Sequence, residues 1–324
     1  MRPFVLMMVI ACSTVVSAAD PEIGDLVFVK LDATGRVGDQ AVEWNELPFP
    51  AQVKEIDVDN VRLSKVWVRK LEVMNAEDAL RYFSEQIERE PDRAAAWSCR
   101  GVLWNLQKEP DKAISDLTQA ICLAPHETRN YVRRANAWFS VAIKHQFSPP
   151  IHSGGFQVDI QIPPEKEIAM AHAMVGCCDA IQIDPRCADA YLCRAHLWTF
   201  KEQWKTARSD FRQAVMLDPG SPRANVELAR FLIAHPFPGL VNSSEAIRCA
   251  TTACELTDWE SFDEVDALVR ACVASSALEA AAKWSEKAIA LLPQARQQFI
   301  RDEYRKLLDR EPAPTGFRIL QIQE

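Results

Sequence analysis

Residues 94–127, AAAWSCRGVLWNLQKEPDKAISDLTQAICLAPHE, decide the fold. Small residues stand at Gly101, Ala113 and Ala120, bulky ones at Trp97, Trp104 and Leu117, and Pro125 closes the stretch. This reads as two antiparallel helices. The small residues let the helix axes approach closely, and the large ones fill the spaces between. The proline ends the second helix, because it lacks an N–H and disfavours helix at the residue before it.

Outward from this stretch the same positions return. Pro91 and Pro125 are 34 residues apart, as are Ala79 and Ala113, Trp97 and Tyr131, Ala173 and Ala207, and Pro185 and Pro219. Alanines seven apart recur at Ala113 and Ala120, Ala173 and Ala180, Ala207 and Ala214, Ala246 and Ala253, and Ala281 and Ala288. The period breaks between Pro125 and Pro185, a gap of 60 residues, and slips by five between Ala207 and Ala246.

A fixed period of this length is the mark of stacked repeats. The pattern resembles the tetratricopeptide repeat, and residues 188–221 fit it again with Tyr191, Ala195, Trp198, Ala207, Phe211, Ala214 and Pro219. The resemblance implies a mainly α fold, a solenoid of about five to six helix pairs over residues 76–310 with a continuous core. Trp97 is expected to be buried in it. An insertion falls at about 145–164, and Phe156 to Ile162 alternates like a short strand. A capping helix is expected at about 294–310, with Phe299, Tyr304, Leu307 and Leu308 facing inward, followed by a tail over 311–324.

Residues 23–75 have another character. Strand-like pieces at 25–31, 51–57, 61–64 and 66–69 alternate with turns at 32–35 and 57–60. Lys65-Val66-Trp67-Val68-Arg69, followed by Leu71 and Val73, resembles the closing strand of a Src-homology-3-like β-barrel. In such a barrel Trp44 or Trp67 would lie on a binding face or pack inside. The half-unit Ala79, Phe83, Ile87 and Pro91 follows almost without a linker, so a rigid junction is expected.

Residues 1–19 read as a signal peptide: Arg2, an apolar run over 4–16, then Ser17-Ala18-Ala19. This places the protein outside the cytoplasm, periplasmic or secreted. Membrane attachment would come only through an uncleaved leader or a lipid on Cys12. Nine cysteines follow Cys12, an odd number, mostly in helical patterns where thiols are ordinary packing residues; one disulfide stays open. The net charge of -8 argues against a nucleic-acid partner.

No phosphate-binding, dinucleotide, nucleophile-elbow or H-E-x-x-H motif occurs, so neither an enzyme nor a cofactor is expected. His145, His152 and His172 lack a carboxylate or thiol at ligand spacing, so no metal site is expected.

In the tetratricopeptide family the first helix of each pair lines a peptide groove. The resemblance assigns Arg129, Val132, Arg133, Asn136 and Phe139 to it, then Asp189, Leu192, His196 and Phe200, then Arg223, Val226 and Arg230. Arg129 and Arg133 have the spacing with which one subclass grips a terminal carboxylate. The asparagine of that pattern is Cys99 here. Arginine holds carboxylates with paired hydrogen bonds, so a protein or acidic peptide partner is expected. The alternatives are a cell-envelope module binding wall peptide or glycan through the barrel, and a metal or catalytic protein using the insertion.

Overall fold

A computed structural model describes residues 21, 26–31, 33–37, 40–42, 50–57, 59–63, 65–144, 164–234 and 241–309. The leader at 1–19, Trp44, His145, His152, Phe156 to Ile162 and the tail at 311–324 lie outside the described residues. The chain divides into two compact units, Met1–Gly176 and Cys177–Glu324.

The first unit opens with strands β1 (Leu26–Val29), β2 (Gly35–Val37), β3 (Gln40–Val42), β4 (Ala51–Ile56), β5 (Asn60–Leu63), β6 (Val66–Arg69) and β7 (Val73–Met74). They form one antiparallel sheet in the order β3-β2-β6-β5-β4-β1-β7. Alternation along β1 splits its side chains between two cores. Val27 and Val29 join Val53, Val61, Leu63 and Val68. Phe28, together with Leu31 and Met74, packs instead with Ala79, Phe83, Ile87 and Leu103 of the helices. The strands and the first helices therefore share a hydrophobic core. A register shift between Val53 and Glu55 bends β4.

The helices of this unit are α1 (Ala76–Arg89), α2 (Ala94–Leu106), α3 (Pro110–Leu123) and α4 (Thr128–Lys144). The division between the units falls in α5 (Pro164–Ile183). The second unit continues with α6 (Ala188–Phe200), α7 (Trp204–Leu217), α8 (Pro222–Ile233), α9 (Ser243–Leu256), α10 (Phe262–Ala274), α11 (Leu278–Ala290) and α12 (Gln294–Leu308).

The periodic residues act as their chemistry requires. Glu90, Ala124 and Asp218 each precede a closing proline, and all three leave the helix at φ −132° to −135° and ψ 74° to 81°. The turns inside the pairs pass through Lys108, Glu202 and Ser276 at φ 59° to 63°, a left-handed conformation. Ala113, Ala120, Ala207 and Ala214 are fully buried where helices cross. Two ion pairs repeat the period: Arg100 holds both oxygens of Asp116 at 2.7 and 2.9 Å, and Arg194 holds Asp210 at the same distances.

Two expectations are corrected. Trp97 is half-buried: its Nε1 donates to the carbonyl oxygen of Pro91 at 2.8 Å, and Arg100 lies over its ring. That polar edge takes its partner near the surface, so the indole packs against the edge of the core rather than inside it. Phe299 is 68% exposed on the outer face of α12. The cap is anchored instead by Tyr304, whose buried hydroxyl donates to Asp266 Oδ1 at 3.0 Å, with Leu307 and Leu308 packed against the core.

Candidate functional site

On α4 the residues Arg129, Arg133 and Asn136 follow one another at positions i, i+4 and i+7, so they share a face. On α2 the residues Ser98, Val102 and Asn105 do the same. Between these faces lies a cleft of about 200 Å³, lined by Val102, Asn105, Leu106, Leu117, Arg133 and Asn136.

Arg133 is held rather than solvated. Its Nη1 donates to Ser98 Oγ at 2.7 Å, and Ser98 donates onward to Asn130 Oδ1 at 2.5 Å. Ser98 and Asn130 are both buried, so the chain fixes one guanidinium geometry at low dielectric. Arg129 is bound by Glu127 through two contacts of 2.9 and 3.3 Å. That hydrogen bonding, with help from the charge on Arg133, holds the Glu127 carboxyl below its usual range. Cys99, on α2, packs with Phe83 and Ile87 of α1: burial pushes its thiol up to about 12, against the opposing charges of Arg133, Arg129 and Arg93.

Asn105 Oδ1 is buried and accepts no hydrogen bond. A buried acceptor left without a donor costs about 1–3 kcal/mol. Beside it Leu106 is 38% exposed, a large apolar side chain open to solvent.

The second unit carries a charged row. Arg223 Nη1 is 3.5 Å from Asp189 Oδ1, and Arg230 lies 3.6 Å from Glu227 and 3.5 Å from Asp263. His196 Nε2 is buried and stands 3.5 Å from Glu227 Oε2 without forming a hydrogen bond. Burial pulls the His196 imidazole below its usual range, against the pull of Glu227, so the ring is neutral at pH 7. Its ring lies perpendicular to that of Phe211, edge to face, with centroids 5.2 Å apart.

The groove assignment therefore divides. Arg129, Arg133 and Asn136 share one face, and Asp189, His196, Arg223 and Arg230 fall in a second charged cluster. Phe139 and Phe200 are half-buried. Val132, Leu192 and Val226 are buried, and correct the expectation that they open onto the groove. Val132 and Val226 each lie one residue from a more exposed position, Arg133 and Glu227, and Leu192 sits beside buried Cys193, on sides of their helices that face the core. Missed by the sequence reading were Ser98, Val102, Asn105 and Leu106 on α2, and Glu227 and Asp263 in the second unit. Ser98, Val102 and Asn105 have the same i, i+4, i+7 spacing as the α4 set, and that spacing was the available signal.

Nothing among the described residues gathers three metal-ligating side chains. His172 stacks on Trp138 with centroids 4.5 Å apart. All nine described cysteines are free thiols. Among the described residues, no helix is long and apolar enough to cross a membrane.

No protein-family model matches the chain. One curated relative, tetratricopeptide repeat protein 36 of Caenorhabditis briggsae, is 35% identical over 68 residues, 21% of this chain and 38% of that protein. The chain thus matches well under half the length of that relative. Among solved structures, yeast Tom70 superimposes with a TM-score of 0.52 at 15% identity, covering 70% of this chain and 42% of Tom70. PilW, a widely conserved type IV pilus biogenesis factor, gives 0.50 at 17% identity, covering 70% of this chain and 90% of PilW. Together with the 34-residue period, these likenesses establish the fold as a tetratricopeptide-type solenoid preceded by a small antiparallel sheet.

Proposed function

We propose that this chain is an exported adaptor that holds an extended segment of a partner protein against the first helices of its repeats. The observation that carries the reading is Arg133, fixed by buried Ser98 and Asn130 at the edge of an open apolar cleft. A guanidinium tethered in this way is preorganised for a carboxylate, which lowers the entropic cost of binding. The protein carries out no reaction in this reading; it positions one protein relative to another.

Export rests on the leader-like residues 1–19. The strands at 26–74 are read as a Src-homology-3-like domain that braces the start of the array, and the core shared by Phe28, Met74 and Phe83 supports a brace.

The experiment is a capture from the envelope and secreted fractions of the source cell, with wild type beside an Arg129→Glu, Arg133→Glu variant whose helical circular dichroism is unchanged. A partner retained by wild type and lost by the variant supports the groove. A partner bound equally by both overturns it.

A further inference from the structure

We infer that the outward face of the sheet binds an acidic stretch of a protein partner, with Arg36 taking a side-chain carboxylate and Trp67 donating its indole N–H. The site belongs to the strands rather than to the helical groove, and it stands without that reading.

Pairing across the strands builds the site. Arg36 on β2 and Arg62 on β5 both stand directly opposite Trp67 on β6. Glu55 on β4 stands opposite Arg62. Residues opposite one another in an antiparallel ladder point to the same side, with Cβ atoms about 4.5–5.5 Å apart. The alternate residues Val61, Leu63 and Val68 point inward and form the strand core. Arg36, Trp67, Arg62 and Glu55 therefore line the other side. Arg36 is exposed and Trp67 half-buried, and Trp67 joins neither the strand core nor the core shared with the helices.

The donors of this face are matched unevenly. Arg62 Nε donates to Glu55 Oε2 at 2.9 Å, and Arg69 pairs with Glu72. Among the described residues, no carboxylate or other acceptor engages Arg36. Trp67 Nε1 also meets no acceptor among the described residues. It is not one of their enclosed unpaired atoms, so its N–H opens to solvent. Neighbouring strands thus present two accessible donors side by side.

These donors specify the occupant. A carboxylate complements a guanidinium in charge and shape, and a backbone carbonyl of the same segment accepts from the indole. A polyanionic backbone asks for several open cations, whereas Arg62 and Arg69 already hold carboxylates. Small-molecule sites are concave, and an open sheet face suits an extended chain instead.

The test uses the purified full chain and a fluorescent, acetylated and amidated nonapeptide with three central glutamates in a Gly/Ser background. Anisotropy at low salt should show saturable binding that added salt weakens. Arg36→Gln should weaken it about tenfold. Trp67→Phe keeps a ring and loses the N–H, and should weaken it about threefold to tenfold. Lys205→Gln removes the same charge from an exposed position on α7 and should leave binding within about twofold of wild type. Arg36 is exposed, so Arg36→Gln should keep the melting temperature of wild type.

The inference is overturned if the peptide does not bind, if Arg36→Gln and Lys205→Gln affect it alike, or if Trp67→Phe binds it as well as wild type. It is overturned too if a uronic acid oligosaccharide binds through Arg36 and the peptide does not. Binding that survives Arg36→Gln and is lost in the Arg129→Glu, Arg133→Glu variant assigns the peptide to the helical groove and removes the site on the strands. Failure of the capture experiment, with Arg36-dependent peptide binding intact, removes the groove and leaves this site standing.

Discussion

Gly101 leaves the space that Leu117 fills: a Cβ built on Gly101 would stand 2.7 Å from Leu117 Cγ and 3.3 Å from the carbonyl oxygen of Ala113. The contact sits where α2 crosses α3, and Leu117 is fully buried. Gly101→Ala gains helix propensity of about 1 kcal/mol but forces the helices apart, at a cost of about 1–3 kcal/mol. A net loss of stability is expected in chemical denaturation. Gly176→Ala meets its neighbours at 3.3 Å and should cost less. Equal stability of wild type and Gly101→Ala would remove the close crossing.

The Arg100–Asp116 pair should be worth more than a surface bridge. Both partners are largely shielded, at 19% and 7% side-chain exposure, and the bonding is bidentate. Arg100→Ala leaves the Asp116 carboxylate buried alone and is expected to cost about 2–4 kcal/mol. The double variant Arg100→Ala, Asp116→Ala should recover part of that loss. A cycle with no coupling would reduce the pair to packing. Arg194 and Asp210 repeat the geometry and give an internal replicate.

Tyr304 ties the last helix to the array. Its hydroxyl donates to Asp266, which also accepts from Arg270 Nε at 2.8 Å. Tyr304→Phe keeps the ring and loses one bond, at about 1–1.5 kcal/mol. Tyr304→Ala loses the buried ring too, at about 3–5 kcal/mol. Limited proteolysis should then cut first within α12, since a cap held by few contacts opens before the array. Unchanged protease resistance in Tyr304→Ala would show that Leu307 and Leu308 suffice.

What the sequence revealed follows from how strongly each residue type constrains the chain. The prolines and alanines at fixed period were legible because a missing N–H and a missing side chain act the same way in every repeat. Residues on the exposed face are not so constrained. Val132 sits in the same helical turn as Arg133, and only the helix's rotation against its neighbours decides that one is buried and the other lines the cleft. Trp97 shows a second limit. Hydrophobicity argued for full burial, but the indole N–H needed the Pro91 carbonyl near the surface. The β2–β3 hairpin was missed because each strand is three residues long. Val37 pairs with Gln40, and the available signal was the Gly-Asp dipeptide in the sequence between them, a composition that favours tight connections.

His196 should give the second unit a pH-dependent term. Burial holds its imidazole below the ordinary value of 6.5; Glu227 opposes that shift, and the charges of Arg223 and Arg230 add to it. The unfolded chain therefore binds more protons than the folded one between the folded pKa and 6.5. Stability is full above the unfolded value and falls as pH drops through that window. His196→Leu fills the place beside Phe211 without a titrating group, so its stability should fall less between pH 7 and about 5 than that of wild type. Denaturant midpoints for both proteins across this range provide the measurement. Parallel curves would mean that the ring takes up its proton as readily in the folded unit as in the open chain, and that Glu227 fully offsets the cost of burial.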